Sequence, residues 1–298
     1  MKHELEVVFD AGALLGEGPC WDERAKLLYW IDGLGKAIHV FDPATGSDRA
    51  TPVDQFVGCV VLRECGGCLV ALEKGFYFFD PATGALEPVA NPEAGVEGNR
   101  FNDGKCDAAG RLWCGSMSLK ENEGTGKSPP AGSFYRLSPD RSVRKIFGGV
   151  GISNGMGWSP DGATMYYIDS PTRKVDAFDF DLAAGAIARR RTVVTIPEGG
   201  GIPDGMCVDA EGMLWVAQWG GRQVSRWDPH SGAMIDRISV PVVNVTCCAF
   251  GGPDLGDLYI TTSRVGVDAG NASEFPHAGA IFKIRPAVTG LPAHRFRG

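Results

Sequence analysis

No stretch of this 298-residue chain holds 18 consecutive apolar residues, the length a membrane-crossing helix requires. The opening run, Met1-Lys2-His3-Glu4-Leu5-Glu6, contains no apolar segment of the kind a secretory leader carries. Basic runs are equally scarce. None is longer than Arg189-Arg190-Arg191 and the formal net charge is −7, so the field that neutralises a nucleic-acid backbone is missing. Nor does any segment sustain a 3.6-residue apolar period over helical length, which argues against doubly wound and barrel α/β folds. A cytoplasmic protein that engages neither nucleic acid nor membrane is expected, and its oligomeric state is left open. Cysteine is not scarce, but nine is an odd number, and a chain of this length needs no covalent staples, so free thiols are expected.

Glycine (42) and proline (19) are plentiful, as in a turn-rich chain of short strands. A short phrase recurs, an oxygen-bearing residue followed by glycine: Glu17-Gly18, Asp103-Gly104, Asn154-Gly155 and Asp204-Gly205. Each copy precedes an apolar or aromatic stretch and a turn, and reads as the entry to the first strand of a new sheet. With degenerate copies at Val57 and Thr246, units begin about every 40 to 50 residues, the period of a propeller blade. A second turn series closes the outer hairpins, as in Asp42-Pro43-Ala44-Thr45-Gly46 and Asp80-Pro81-Ala82-Thr83-Gly84, where Pro presets its own φ and Gly accepts φ > 0. The expected fold is all-β: a single six-bladed β-propeller domain over residues 1–298, with three or four antiparallel strands per blade. An orphan alternating strand at residues 4–9 is expected to complete the sixth blade and close the ring. Residues 118–131, polar and rich in Gly and Pro, interrupt the period and read as a loop over one face.

Asp or Asn before Gly is commonplace turn chemistry, but the turns of these units lie elsewhere, at Asp161-Gly162 and Glu211-Gly212. Four oxygen side chains at one position of a repeat arranged around an axis would converge, and converging oxygens make a cation site. Glu17 and Asp204 with the neutral Asn154 carry two negative charges, which balance a divalent ion. All-oxygen ligation favours a hard cation such as Ca²⁺, Mg²⁺ or Mn²⁺. None of the five histidines falls at such a position, so a structural zinc site is not indicated. Three other motifs are read as structural. Gly151-Ile152-Ser153-Asn154-Gly155 fits G-x-S-x-G but no helix follows it. Gly126-Lys127-Ser128 lacks the rest of a phosphate-binding loop. Cys65-Gly66-Gly67-Cys68 reads as a hairpin turn.

The blocks Leu15-Gly16-Glu17-Gly18-Pro19, Asn99-Arg100-Phe101-Asn102-Asp103-Gly104-Lys105, Ile152-Ser153-Asn154-Gly155 and Ile202-Pro203-Asp204-Gly205-Met206-Cys207-Val208-Asp209 resemble the SMP-30/gluconolactonase/regucalcin family over essentially the whole chain. The resemblance implies a six-bladed propeller and a metal-dependent carboxylic ester hydrolase that opens a sugar lactone to the aldonic acid. It implies one divalent ion, Ca²⁺ first, with Mg²⁺, Mn²⁺, Zn²⁺ and Fe²⁺ as alternatives. Glu17, Asn154 and Asp204 match the family's metal ligands, Arg100 and Asn102 match its substrate-binding positions, and Asp103 lies beside the metal. Animal members carry Ala-Glu-Glu after Gly-Ser-Met, its second Glu touching substrate. Here the run is Ser118-Leu119-Lys120, with Glu121 one residue later as the candidate contact. In such a site the ion polarises the lactone carbonyl while a carboxylate takes a proton from attacking water; Asp204 is the first candidate base and Asp103 the second. A calcium-binding regulatory protein without turnover, or a phosphotriesterase-type hydrolase, would use the same residues.

Overall fold

The computed structural model describes residues 4–120 and 131–298. They form 24 strands in six four-stranded antiparallel sheets. Strand β1 (Glu6–Phe9) comes first in the chain but belongs to the last sheet. The first blade is β2 (Gly16–Asp22), β3 (Leu27–Asp32), β4 (Ala37–Asp42) and β5 (Ser47–Pro52). The second is β6 (Val57–Leu62), β7 (Cys68–Leu72), β8 (Gly75–Phe79) and β9 (Leu86–Ala90), and the third β10 (Asn99–Cys106), β11 (Leu112–Ser118), β12 (Gly132–Leu137) and β13 (Val143–Val150). The fourth is β14 (Ser153–Trp158), β15 (Thr164–Asp169), β16 (Lys174–Asp181) and β17 (Ala186–Thr195), and the fifth β18 (Ile202–Val208), β19 (Leu214–Trp219), β20 (Gln223–Trp227) and β21 (Met234–Ser239). The sixth runs β22 (Asn244–Gly251), β23 (Asp257–Ser263), β24 (Ile281–Ile284), and is completed on its outside by β1, so the N-terminal strand closes the ring as its alternation suggested. The fold is a six-bladed β-propeller, and among the described residues no helix is long and apolar enough to cross a membrane.

The core is six wedges, one between each pair of neighbouring blades. Tyr29, Ile31 and Val57 lie between blades one and two, Phe101 and Leu112 meet Val61 and Phe76 between two and three, and Phe134 and Tyr167 pack 4.7 Å apart between three and four. Met206 and Leu214 meet Ile168 between four and five, Trp215 meets Phe250 between five and six, and Trp21 stacks on Tyr259 where six meets one. Both faces of each blade are therefore buried, which is why the middle strands read as nearly continuous apolar runs. Burial falls outward: all of β14 is buried, whereas β21 is exposed at five of six positions. On β17 the run Arg189-Arg190-Arg191 pairs with Asp176 and Asp179 of β16, a charged outer edge that discourages pairing with other chains. Every cysteine is a free thiol, and Cys65-Gly66-Gly67-Cys68 is the β6–β7 turn.

The recurring oxygen-plus-glycine phrase lies inside the innermost strand of its blade, not ahead of it. A tight axis requires three of those glycines, Gly104, Gly155 and Gly205. A Cβ on Gly205 would come within 2.6 Å of Cys247 Cβ and 2.9 Å of its Cα; one on Gly104 would meet Cys59 Sγ at 2.8 Å; one on Gly155 would meet Asp204 O at 2.7 Å. Each glycine thus lets the next inner strand approach, a different need from that of Gly162, which takes φ of 69° in an open turn. Gly205→Ala is expected to cost roughly 3 kcal/mol by overpacking, and Gly162→Ala about 1 kcal/mol from the left-handed backbone. Urea midpoints would rank them; equal costs would refute the close-approach account.

Candidate metal and substrate site

Every inner strand breaks register with its neighbour at the same level. The shifts fall between Glu17 and Cys20 in β2, Val57 and Cys59 in β6, Phe101 and Gly104 in β10, Ser153 and Met156 in β14, Pro203 and Met206 in β18, and Val245 and Cys247 in β22. A bulge re-aims the side chain it carries. Six of them at one height turn a ring of side chains away from the blade wedges. Their occupants include Gly58, Asn102 with Asp103, Asn154, Asp204 and Thr246, while in β2 the slip follows directly after Glu17, which is still paired with Ile31. Gly58 has no side chain to offer, and a Cβ there would meet Phe101 O at 2.7 Å. Thr246 spends its hydroxyl within the wall, donating to Gly16 O at 2.5 Å and meeting Thr261 Oγ1 at 2.9 Å. Blades one, three, four and five supply the free oxygens.

The structure brings Glu17, Asp103 and Asp204 into each other's fields. Burial and the negative charges of Asp204 and Asp103 hold the Glu17 carboxyl well above its ordinary range. Burial and Asp103 do the same to Asp204, opposed by a hydrogen bond from the Asn154 amide. Asp103 is raised by burial, with the Lys105 ammonium acting the other way. Each acid keeps a local anchor: Gly18 N–H donates to Glu17 Oε2 at 2.9 Å and Gly104 N–H to Asp103 Oδ1 at 2.7 Å.

Asn154 is oriented by a chain of bonds. Ser170 Oγ gives its one hydrogen to Pro203 O at 2.7 Å, so it can only accept from Asn154 Nδ2, 3.0 Å away. The amide oxygen must then point the other way. Asn154 Oδ1 is buried and, among the described residues, has no donor; Asp103 Oδ2 is in the same condition. Buried acceptors without donors, beside carboxylates pressed together, are the arrangement a cation relieves. Among the described residues no three His, Cys, Asp or Glu side chains are grouped so as to hold an ion, so an ion here needs the Asn154 amide as well as carboxylates.

Arg100 and Asn102 stand on the same strand as Asp103. Arg100 Nη1 donates to Asn102 Oδ1 at 2.6 Å and to Phe101 O at 3.1 Å, and Asn102 Nδ2 donates to Ser153 O of the next blade at 2.7 Å. Burial lowers the Arg100 pKa to about 10 against the opposing charges of Glu17 and Asp204, so the guanidinium stays charged at neutral pH beside the acids. Ser153 is buried, its hydroxyl accepts from Tyr167 at 3.0 Å, and strand β14 continues through it where a nucleophile turn would need a helix. Glu121 and Gly126-Lys127-Ser128 lie outside the described residues.

Sequence reading missed the layer behind the ring. Asp32, at the end of β3, accepts from Leu14 N and Leu15 N at 2.9 Å each, and Asp169, at the end of β15, accepts from Ile152 N at 3.0 Å. Both pin the backbone entering a bulge, and Ser170 sets the amide; a carboxylate or serine closing a second strand carries no signal of this in the sequence.

In chelator, the raised carboxyls give a pH dependence of defined sign. A group whose folded pKa is raised contributes stability below its unfolded value, about 4, and loses it as pH climbs through the folded value. Asp204→Asn removes that loss. The metal-free variant is expected to melt increasingly above the wild type as pH rises from about 4 toward neutrality, and a constant or shrinking difference in Tm would show that the acids do not share one field.

The SMP-30/Gluconolactonase/LRE-like region matches residues 15–264. Regucalcin of Gallus gallus is 41% identical over 296 residues, covering 99% of each chain. A Bacillus subtilis protein provisionally named sugar lactone lactonase YvrE is 39% identical over 289 residues, covering 97% of each. Among solved structures, a regucalcin from Agrobacterium tumefaciens, described as a calcium-binding protein, superposes with a TM-score of 0.92 at 30% identity, covering 100% of this chain and 98% of that one. In sequence over nearly its whole length and in its blades alike, the chain belongs to the SMP-30/gluconolactonase/LRE-like family.

Proposed function

We propose that this protein is a divalent-metal-dependent hydrolase that opens a sugar lactone to its aldonic acid. The observation that carries the reading is the buried Asn154 Oδ1, without a donor among the described residues, on the side chain that hydrogen-bonds Asp204, one of two carboxylates, Glu17 and Asp204, that burial and mutual repulsion hold in a costly state. Glu17, Asn154 and Asp204 would hold the ion, with Ca²⁺ first among candidates because the donors are all oxygen. Bound there, a hard cation supplies a Lewis acid for an ester carbonyl.

The protein's own groups supply the rest. Asp204 takes the proton of the attacking water; Asp103, whose Oδ2 is free of donors among the described residues, is the second candidate. Arg100, held charged and locked to Asn102, presents donors to ring hydroxyls and to the carboxylate that forms when the ring opens. Asn102, partly exposed and braced against blade four, fixes the sugar's orientation. Glu121 is proposed as a further substrate contact on its place in the sequence.

A pH-indicator assay on five- and six-carbon aldonolactones, run after chelation and after adding back Ca²⁺, Mg²⁺, Mn²⁺, Zn²⁺ or Fe²⁺ in turn, tests the reading. Hydrolysis above the spontaneous rate with a restored ion is expected. Tight ion binding with no acceleration of any lactone would instead support a calcium-binding protein without turnover, the first part of which is what the solved relative is described as. Asp204→Asn should lower kcat by roughly 10²- to 10⁴-fold, while Ser153→Ala should leave it nearly unchanged.

Ser170→Ala removes the group that aims the Asn154 oxygen. It is expected to weaken ion binding about 10- to 100-fold by calorimetry, and unchanged affinity would show that the amide needs no such support.

A further inference from the structure

Blade two brings no oxygen to the level of the ring, where it carries Gly58. A Cβ there would strike Asn102 O of β10, so the two positions lie side by side. Above Gly58, in the two-residue turn Glu73-Lys74 that joins Leu72 of β7 to its partner Gly75 of β8, blade two carries an acid.

Hydrogen bonds set the height of that acid. Glu73 N–H donates to Phe56 O at 2.9 Å, and Phe56 precedes Gly58 by two residues. Arg100 precedes Asn102 by two residues as well. Glu73 and Arg100 therefore stand at one height, roughly 7 Å of strand above the ring. The turn is held there by a second bond, from Lys74 N–H to Gln55 Oε1 at 3.0 Å.

Alternation sets its direction. On β7, Cys68, Val70 and Leu72 pack in the wedge against blade one, whereas Leu69 and Ala71 pack in the wedge against blade three. Glu73 continues the second series, toward the strand that carries Arg100. Phe76, which follows the turn on the same side, packs 4.7 Å from Phe101. Electrostatics agrees with this placement: against the lowering that burial imposes, the carboxylates of Glu17, Asp204 and Glu73 hold Arg100 charged. Glu73 is partly exposed, and among the described residues its carboxylate takes no hydrogen bond and forms no ion pair.

An uncommitted carboxylate at the height of a charged guanidinium sets an acceptor beside a group of donors. A neutral polyol can use both. A ligand with a carboxylate of its own meets Glu73 as a like charge.

We infer that Glu73 is a specificity residue of this site: it accepts from a sugar hydroxyl at the end away from the carbonyl, and its charge turns away lactones that carry a carboxylate there. The inference rests on the lactonase reading for the reaction and names the substrate class, neutral aldonolactones.

Two pairs of probes keep it separable from that reading. In turnover by the intact, calcium-loaded protein, neutral D-glucono-1,5-lactone is compared with D-glucaro-1,4-lactone, which has a free carboxylate. In binding, by NMR titration, methyl β-D-glucopyranoside is compared with methyl β-D-glucopyranosiduronate, the same ring with a carboxylate in place of its hydroxymethyl group; neither is a lactone. The neutral lactone is expected to be preferred in kcat/KM. Glu73→Gln, which keeps an acceptor and loses the charge, should cut that preference roughly tenfold while leaving KM for gluconolactone nearly unchanged. Glu73→Ala, which loses the acceptor too, should raise that KM about tenfold with kcat nearly unchanged. The inference is overturned if Glu73→Gln leaves the preference intact, or if Glu73→Ala lowers kcat and spares KM. If the wild type hydrolyses neither lactone, the lactonase reading fails and the glycosides decide alone: tighter binding of the neutral ring, levelled by Glu73→Gln, upholds the inference, and equal binding, or none at millimolar concentration, overturns it.

Discussion

Everything in this molecule depends on how closely six inner strands can crowd one axis. The blades pack through wedges of large side chains, Trp215, Tyr167, Phe134 and Phe76 among them, which set the angle between sheets. At the axis the same geometry leaves no room for a Cβ at Gly58, Gly104, Gly155 or Gly205. Where backbone approaches backbone that tightly the ladder slips, and the slips in blades three, four and five re-aim Asn102 with Asp103, Asn154 and Asp204. In the phrases of blades three, four and five the glycine and the oxygen therefore serve one purpose: the first admits the neighbouring strand, the second uses the direction that the slip creates, whereas Gly18 is set apart by its left-handed φ of 54°.

The consequence is electrostatic. Glu17, Asp103 and Asp204 are driven together by packing that concerns only apolar groups elsewhere, and burial then penalises their charges. Arg100 and Lys105, on the strand that carries Asp103, offset part of the repulsion, and both are themselves buried at a cost. A folded chain that keeps three such acids must make up the deficit in its wedges. Asp32, Asp169 and Ser170 serve that strained ring by fixing backbone and amide before anything binds, so that binding need not supply the ordering.

Much of this was legible in the sequence because the repeat makes chemistry periodic. Six units, a charged outer run at Arg189 to Arg191 and an N-terminal strand completing the last blade all follow from alternation and turn residues, and the structure has each of them. The oxygen-plus-glycine phrase reads as the entry to the first strand, whereas it lies inside that strand, where Gly104, Gly155 and Gly205 answer to a strand roughly 40 to 50 residues away, a partner no window of sequence contains. Thr246 shows the converse. It holds a repeat position and an oxygen, yet Gly16 O takes its hydroxyl, and only the ring closure that brings blade six against blade one reveals this. Ser170 is invisible for the same reason, since its value lies in standing between Asn154 and Pro203.

The two ends of the channel differ because strand and tail treat them differently. Above, bulges turn acids inward, and Arg100 with Asn102 line the approach to them. Below, regular pairing resumes, side chains return to their alternation, and Trp21 and Trp158 come to lie where β3 and β15 offer neither ring an acceptor. Trp113 and Trp215 sit one strand further out, and there Asp107 and Asp209, each six residues earlier, reach the indole. In blades three and five the tryptophan on the second strand lies over the turn that follows the first and takes its carboxylate, whereas Trp30, on the second strand of blade one, takes Asp48 of β5, and Trp21, on the first, packs into the wedge against Tyr259. Lys105 spans the width between these regions, taking Met206 O across the axis with its charge set beside Asp103. One cross-channel bond thereby separates the ring of acids from a largely apolar cavity walled by the lower ends of the same inner strands.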